Sequence, residues 1–536
     1  MKTYQLFLLS ILSALLLTFA WLPNGFTPLI FIALVPILMV EDAVFKSPQK
    51  YKTIVLFACT YLCFFTWNIL TTWWIKNASF AGAAMAIISN ALLMTIVFLF
   101  YHKIKKRLSG YWSQLIFISF WITFEFLHLD WDLTWTWLTL GNVFAENHNW
   151  VQWYEYTGVF GGSLWVLIAN CIVFNLVSGY KAQNIKKQIL ALCLLIIFPL
   201  IISYAIITSA STLNKKVNVL IVQPNIDPYN EKFVSGAEQQ LEKMLQLTDN
   251  KIDTTIDYLI FPETAITENL WESELEQATS IKLLRKFLTN YPKVKIVIGA
   301  STAKLYQLNE KLSSTARKFK DGEGYYDTFN SAIQIDTSKI IQVYHKSKLV
   351  PGVEKMPFPF IFKYFEKFAI NLGGASGSLG EQKERSVFFS PNNSIKLAPV
   401  VCYESVYGEY VSEYIKNGAQ FITIITNDGW WGDTPGYKQH LKYGVLRAIE
   451  TRRYIARSAN TGISCIITDR GEIEHGTKWW TPEIIKAEIK LNTLFTFYTR
   501  YGDYIGRAAM YLTFILTVYS WLLLLKLKRK KNSEQH

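Results

Sequence analysis

Apolar residues are grouped along this chain in two different ways. Over the first 210 positions, and again near the C-terminal end, they run in long and almost uncharged stretches. These fall at about 3–21, 22–40, 53–75, 77–101, 108–124, 159–177, 189–209 and 508–525. Most reach the roughly 20 residues a helix needs to cross about 30 Å of hydrocarbon, so the pattern predicts eight membrane-spanning helices. The stretch 22–40 is interrupted by Pro23, Pro28 and Pro36. It is still counted, because neighbouring helices can satisfy the backbone groups that proline frees. The first stretch has no A-x-A-like end and is followed at once by another apolar run, which predicts an uncleaved span rather than a signal peptide.

Between 211 and 505 the grouping changes. Short β-branched runs recur at 217–222, 258–261, 294–298, 331–335, 340–344, 395–401, 421–426 and 462–467. Helix-like segments fall between some of them, at 236–251, 273–288, 407–416 and 437–457. Strands alternating with helices predict one α/β domain. The chain is thereby divided into a polytopic α-helical membrane domain with seven spans (1–210), an α/β domain (211–505), and an eighth span with a basic tail (506–536).

Composition supports the division. Hydrophobic residues make up 51% of the 536 and charged residues only 18%, below the roughly 25% usual in soluble proteins. Disordered and fibrous chains are excluded on the same grounds. The net charge of +13 suggests nucleic acid until its placement is examined. Lys2, then Lys46, Lys50 and Lys52, then Lys103, Lys105, Lys106 and Arg107, then Lys181, Lys186 and Lys187, and finally Lys526, Lys528, Arg529, Lys530 and Lys531 all fall on one side of the predicted spans. The opposite short loops carry Lys76 alone. The positive-inside rule puts both termini in the cytoplasm and the α/β domain outside. The basic excess is then topological, and no nucleic-acid partner is expected. Six cysteines are too few for a disulfide scaffold. Only Cys402 and Cys465 lie in the polar region. Cys402 is expected to be unpaired and shielded, and Cys465 to pack in a strand.

Three polar residues follow apolar runs directly: Glu263 after YLIFP, Lys346 after IIQVYH and Cys402 after IKLAPVV. Sites in open α/β sheets collect at the carboxyl ends of strands. An acid, an amine and a thiol at three such ends can serve as base, cation and nucleophile, although each alone is what an ordinary strand end carries.

Their contexts are more specific. FPETAI at 261–266, HKSKLVPGVEKMP at 345–357 and VVCYES at 400–405 resemble the nitrilase superfamily, whose triad is Glu, Lys and Cys in that order. VQPNID at 222–227, TNDGWWGDTPGYKQHLKYGVLRAIETRR at 426–453 and SANTGIS at 458–464 are similar to one branch of it, the apolipoprotein N-acyltransferases of bacterial envelopes. Seven spans, a domain and a last span is also that branch's plan. The resemblance implies an extracytoplasmic αββα sandwich. It implies Cys402 as nucleophile, Glu263 as the base that takes its proton, and Lys346 as the cation for thiolate and oxyanion. It gives Glu354 a role around Lys346 and the Tyr403 backbone N–H an oxyanion contact.

Other positions stay open between two readings. Glu404 either shapes the site or pairs with a basic neighbour. Asn330 either lies near the site or caps a turn. Trp430 and Trp431 form a membrane-facing lid or belong to the core. Arg447, Glu450 and Arg453 share a helix face and are read as a salt-bridge network. Glu125, at membrane depth, is either functional or structural. Two departures from the family pattern stand out. Pro351-Gly352-Val353-Glu354 replaces Pro-Phe-Gly-Glu, and Tyr229 and Phe233 are the nearest aromatics where the family carries Trp. Phe233 is therefore the expected lipid contact there.

No HExxH or CxxC pair appears, and the glycine-rich stretch 371–380 lacks a Walker Lys-Ser/Thr and reads as a loop over the site. No metal or cofactor is expected. The resemblance implies a ping-pong acyl transfer. A phospholipid donor acylates Cys402, and the α-amino group of a diacylglyceryl-modified apolipoprotein then takes the chain. Drawing a phospholipid out of the bilayer costs about 0.8 kcal/mol per CH₂, so the site is expected at the membrane surface, with the tryptophans of 131–156 as an interfacial floor. The implied setting is the bacterial inner membrane with a periplasmic catalytic domain, the chain acting as a monomer. The competing readings are a membrane-tethered amidase or nitrilase for small C–N substrates, and a transporter or receptor with an enzyme-like ectodomain.

Overall fold

The computed structural model of the chain describes every residue except 22, 49–50, 109, 180–183, 210–214, 233, 321, 359–377, 391–393 and 534–536. The chain forms two compact units. One comprises Met1–Trp73, Ala83–Thr208 and Tyr501–His536, and the other Trp74–Gly82 and Ser209–Arg500.

The first unit is helical. Among the described residues, seven helical segments are long and apolar enough to cross a membrane. A further apolar helix, Tyr111–Leu127, has only 17 residues. The proline-rich stretch is a 3₁₀ turn, Thr27–Phe31, followed by a helix, Val35–Lys46. The backbone groups freed at that break are met by one side chain. Asn170 accepts from the Leu34 N–H at 2.8 Å and donates to the Ile30 carbonyl at 2.8 Å. Buried hydroxyls turn back on their own helices, as Ser10 does to the Leu6 carbonyl and Thr60 to that of Leu56. Glu125 accepts from the Trp121 indole at 3.0 Å and the Leu140 N–H at 2.8 Å. The tryptophans of 131–156 do not form a uniform surface belt. Trp137 and Trp153 are buried, and Trp131 is exposed.

The second unit is a sandwich of two sheets. The larger has eight strands: β1 (Lys216–Gln223), β2 (Tyr258–Ile260), β3 (Ile266–Trp271), β4 (Lys295–Leu305), β5 (Arg317–Lys318), β6 (Tyr325–Ile335), β7 (Gln342–His345) and β14 (Glu483–Lys490). Its main path is β14-β1-β2-β4-β6-β5, with β3 on β4 and β7 on β6. The smaller sheet runs β13-β12-β11-β10-β9-β8, from β8 (Phe388–Ser390), β9 (Ile395–Val401), β10 (Phe421–Thr426), β11 (Ile455–Ala459), β12 (Cys465–Ile467) and β13 (Ile473–Glu474). β9, β10 and β11 are parallel. β10 is buried at every position, which explains its unbroken run FITIIT, since a strand covered on both faces needs no polar alternation.

Helices Ala237–Thr248 and Thr279–Asn290 cover the larger sheet through an apolar core that includes Leu241, Leu245, Leu284, Leu259 and Ile296. Helices Gly408–Lys416 and Pro435–Thr451 cover the smaller one. The sheets meet between them, where Ser458 on β11 donates to the Val222 carbonyl of β1 at 2.8 Å. The αββα order of layers follows.

Two expectations need correction. The helix expected over 437–457 stops at Thr451, because Arg452 takes a left-handed conformation (φ 50°) and the chain re-enters the sheet at Ile455. Arg453 therefore lies off the helix and joins no network with Glu450. Its guanidinium donates to the carbonyls of Ala419, Thr451 and Leu494. Arg447 and Glu450 do pair, at 2.8 Å.

Candidate active site

Glu263 lies shortly beyond β2. The Phe261 N–H still bonds the Val297 carbonyl of β4 at 2.8 Å, and Pro262 then turns the chain off the sheet. The backbone at Glu263 rests directly on β4 at Gly299. A Cβ added there would lie 2.4 Å from the Thr264 nitrogen and 2.6 Å from the Glu263 Cα, so only glycine admits the approach. Lys346 follows β7, and its N–H makes the last rung of the ladder to Asn330 of β6 at 2.8 Å. Cys402 follows β9 with φ 50°, a left-handed backbone that side-chain-bearing residues adopt only where the surroundings force it.

The charged groups of the larger sheet converge. Lys346 Nζ donates to Glu263 Oε1 at 3.0 Å and to Glu354 Oε1 at 2.8 Å. Asn330 donates to the same two oxygens at 2.8 and 2.9 Å, so its side chain lies among these groups and caps no turn. Glu354 is delivered by a loop that folds back between Pro351 and Lys355, with Gly352 at φ 78°. Its Oε2 accepts from the Val350 N–H at 2.9 Å. The Pro-Gly-Val-Glu sequence thus still brings the carboxylate to Lys346. Glu263 Oε2 accepts from the Asn427 N–H at 3.1 Å. Asn427 follows β10, so this carboxylate ties the two sheets together.

These contacts set the protonation states. Burial pushes the Glu263 carboxyl upwards, but the Lys346 charge and the Asn330 and Lys346 hydrogen bonds outweigh it and hold it below the usual carboxylate value. Burial works against the Lys346 ammonium, and the charges of Glu263 and Glu354 more than offset it, raising Lys346 well above its ordinary value. Burial and the Glu263 charge push the Cys402 thiol far up, with Lys346 opposing them. The resting site is a carboxylate, an ammonium and a neutral thiol. Cys402 and Cys465 are both buried free thiols, and Cys465 lies in β12.

Glu404 pairs with no basic side chain by salt bridge among the described residues. It is buried and accepts from Tyr344 at 2.6 Å, Tyr410 at 2.5 Å, the Ser347 N–H at 2.8 Å and the Val401 N–H at 2.8 Å. It thereby fixes the backbone on both sides of the site, at the strand leading to Cys402 and at the residue after Lys346. Tyr403 is buried with its ring edge-on to Tyr407. Trp430 and Trp431 are half-buried. Trp430 packs on Tyr229, and Trp431 on Trp74 and His440. Phe233, and most of the 371–380 stretch, lie outside the described residues.

Four buried residues were not anticipated. Lys232 donates to the Glu263 carbonyl at 3.2 Å and the Thr264 hydroxyl at 2.7 Å; burial, partly opposed by the Glu263 charge, pushes it down to about 8. Asp428, His440 and Arg457 form a cluster behind Cys402. Asp428 stands just past the end of β10, the same strand-end signal that marked the other three.

The family model for carbon-nitrogen hydrolases matches residues 219–497, and that for the N-terminal domain of apolipoprotein N-acyltransferases matches residues 13–172. An apolipoprotein N-acyltransferase of Chlorobaculum tepidum is 27% identical over 96% of this chain and 96% of its own. Another, of Geobacter metallireducens, is 26% identical over 93% and 92%. Among solved structures, an amidase from Nesterenkonia of the nitrilase superfamily matches with a TM-score of 0.36 at 14% identity, over 56% of this chain and 99% of its own.

Proposed function

This chain belongs to the carbon-nitrogen hydrolase family, and from that premise we propose that its reaction is lipoprotein N-acylation. A fatty acyl chain passes from a phospholipid, through a thioester on Cys402, to the α-amino group of an N-terminal diacylglyceryl-cysteine. The observation that supports this chemistry is the buried Glu263–Lys346 ion pair, 3.0 Å between Oε1 and Nζ, whose charges both bear on the buried Cys402 thiol.

In the first half, the Cys402 sulfur attacks the ester carbonyl while Glu263 takes the thiol proton. The C–S bond forms, and Lys346 and the Tyr403 N–H stabilise the oxyanion. Collapse breaks the ester C–O bond, and Glu263 returns the proton to the departing lysophospholipid oxygen. In the second half, the α-amine attacks the thioester carbonyl and gives its proton to Glu263. The C–N bond forms, the C–S bond breaks, and the thiol is restored. Asn330 and Glu354 hold the carboxylate–ammonium pair in register. Trp430 and Trp431 belong to the lipid-facing side of this site. Because a thiol with a raised pKa is slow to oxidise, the same environment protects the nucleophile outside the cytoplasm.

The donor and acceptor are both lipids. This accounts for the apolar helices on the same chain, since neither substrate leaves the bilayer cheaply. The charge distribution supports the inner membrane, with both termini cytoplasmic and the catalytic unit periplasmic.

The test is mass spectrometry of the purified full chain after exposure to phospholipid vesicles. A fatty-acyl mass on the peptide containing Cys402, discharged by a diacylglyceryl-cysteine peptide, is expected. An acyl mass on another peptide, or release of ammonia from small amides with no acyl adduct, contradicts the reading.

A further inference from the structure

Behind Cys402 lies a polar cluster that the reaction as described does not use. His440 Nδ1 is 2.9 Å from Asp428 Oδ1. Asp428 also accepts from Arg457 at 2.7 Å and from the Thr426 hydroxyl at 2.8 Å. All of these side chains are buried. Burial alone would raise the Asp428 carboxyl, and the Arg457 charge with the hydrogen bonds from His440 and Arg457 overrides it, so Asp428 is a carboxylate well below the ordinary range.

The other ring nitrogen identifies the cluster's purpose. His440 Nε2 lies 3.1 Å from the Cys402 carbonyl oxygen, and the Ser405 hydroxyl donates to the same oxygen at 2.7 Å. Nε2 also lies 3.0 Å from the Ser405 hydroxyl oxygen. The carbonyl offers only lone pairs and the Ser405 hydrogen already points to it, so a hydrogen on Nε2, shared between the carbonyl and the Ser405 oxygen, satisfies all three groups. The carbonyl of the nucleophile is thus gripped by two side-chain donors. Its residue has φ 50°, a conformation that persists only when the surroundings over-determine it. The ring is fixed in turn by Asp428 on its far nitrogen and by the edge of Trp431, 5.5 Å away. Trp431 packs at 5.0 Å on Trp74, in the segment Trp74–Gly82 of the same unit. Arg457 reaches Asp428 from the middle of β11, opposite Ile424 of β10, and also donates to the Ile463 carbonyl at 2.6 Å.

We propose that His440, oriented by Asp428 and Arg457, is a positioning residue for the nucleophile. Its Nε2–H holds the Cys402 carbonyl and so keeps the left-handed backbone that sets the thiol against Glu263 and Lys346. An ordinary core ion pair would need only Asp428 and Arg457. The histidine adds a donor at the single backbone oxygen whose placement decides where the sulfur stands. The proposal rests on the reading of Cys402 as nucleophile, and the test separates the two.

Acyl-enzyme formation is followed by rapid quench in the full-length wild type and in His440→Ala, His440→Gln, Asp428→Asn and Cys402→Ala, with a thermal melt of each. A nucleophile misplaced by about 1 Å loses on the order of 100-fold in rate. His440→Ala is expected to fall by that much, with the phospholipid KM unchanged. His440→Gln, which keeps a donor at the carbonyl, is expected to regain most of the loss. Asp428→Asn is expected to fall in between. If His440→Ala does not fold, Asp428→Asn against His440→Gln decides. Wild-type acylation in His440→Ala or Asp428→Asn overturns the positioning role while leaving the nucleophile intact. Equal loss in the Ala and Gln variants overturns it as well, since the donor would then not be what matters. Acyl-enzyme formed by Cys402→Ala overturns the underlying reading instead.

Discussion

The two sheets of the catalytic unit contribute different things to one site. The larger sheet contributes charge. Glu263, Lys346 and Glu354, joined by Asn330, bind one another side chain to side chain. The smaller sheet contributes the thiol and a set of groups that bind backbone. Glu404 holds the Val401 and Ser347 N–H groups, and His440 and Ser405 hold the Cys402 carbonyl. The larger sheet supplies the ion pair and the smaller one the thiol and the groups that hold its backbone, and the site exists only where they face each other. The Asn427–Glu263 bond is one direct link between the two, made by the catalytic carboxylate itself.

The comparison breaks most severely at Lys346. Lys346→Met leaves the buried Glu263 carboxylate and the half-buried Glu354 carboxylate without the cation between them, and breaking a buried pair in this way costs about 3–5 kcal/mol. No acyl-enzyme is expected, and denaturant unfolding should show the loss of stability. Adding Glu354→Gln removes one stranded charge. It should recover part of the stability and none of the activity, which separates the charge of this sheet from its role as scaffold.

On the other sheet, Glu404→Gln is the milder change. It turns an amide N–H₂ towards N–H or O–H donors that in the wild type meet a carboxylate oxygen, and costs about 1–3 kcal/mol. Acylation should slow by about 10- to 100-fold through misplacement of Cys402, with the pH dependence unchanged. A shifted pH profile would mean that the smaller sheet also sets charge.

How much of this the sequence revealed follows the same division. Strands β9 and β10 were legible to the residue, because continuous apolar runs mark parallel strands buried on both faces. Glu263, Lys346 and Cys402 stand out in the sequence because each closely follows a strand-forming run within a family motif. β14 was not, since its alternating Lys and Glu conceal the apolar half of EIIKAEIK, which pairs with β1. β11 was absorbed into the preceding helix, because nothing in LRAIETRRYIAR announces that Arg452 will turn left-handed. That error hid the second cluster. Arg457 reaches Asp428 only because β11 lies beside β10 in parallel register, a pairing that sequence spacing does not encode.

The most direct measurement is the pH dependence of acyl-enzyme formation on Cys402, from about pH 5 to about pH 7. Lys232, pushed down to about 8, keeps its proton over this range. Glu263 lies below its ordinary 4.5, so the base is already ionised there. Lys346 lies above its ordinary 10.5, so the cation is in place. Cys402 lies above its ordinary 9.0, so the sulfur gives up its proton only as it attacks. The account predicts a flat rate, because the same carboxylate–ammonium–thiol state is populated throughout. A rate climbing about tenfold per pH unit, as the fraction of a free thiolate does, would contradict it.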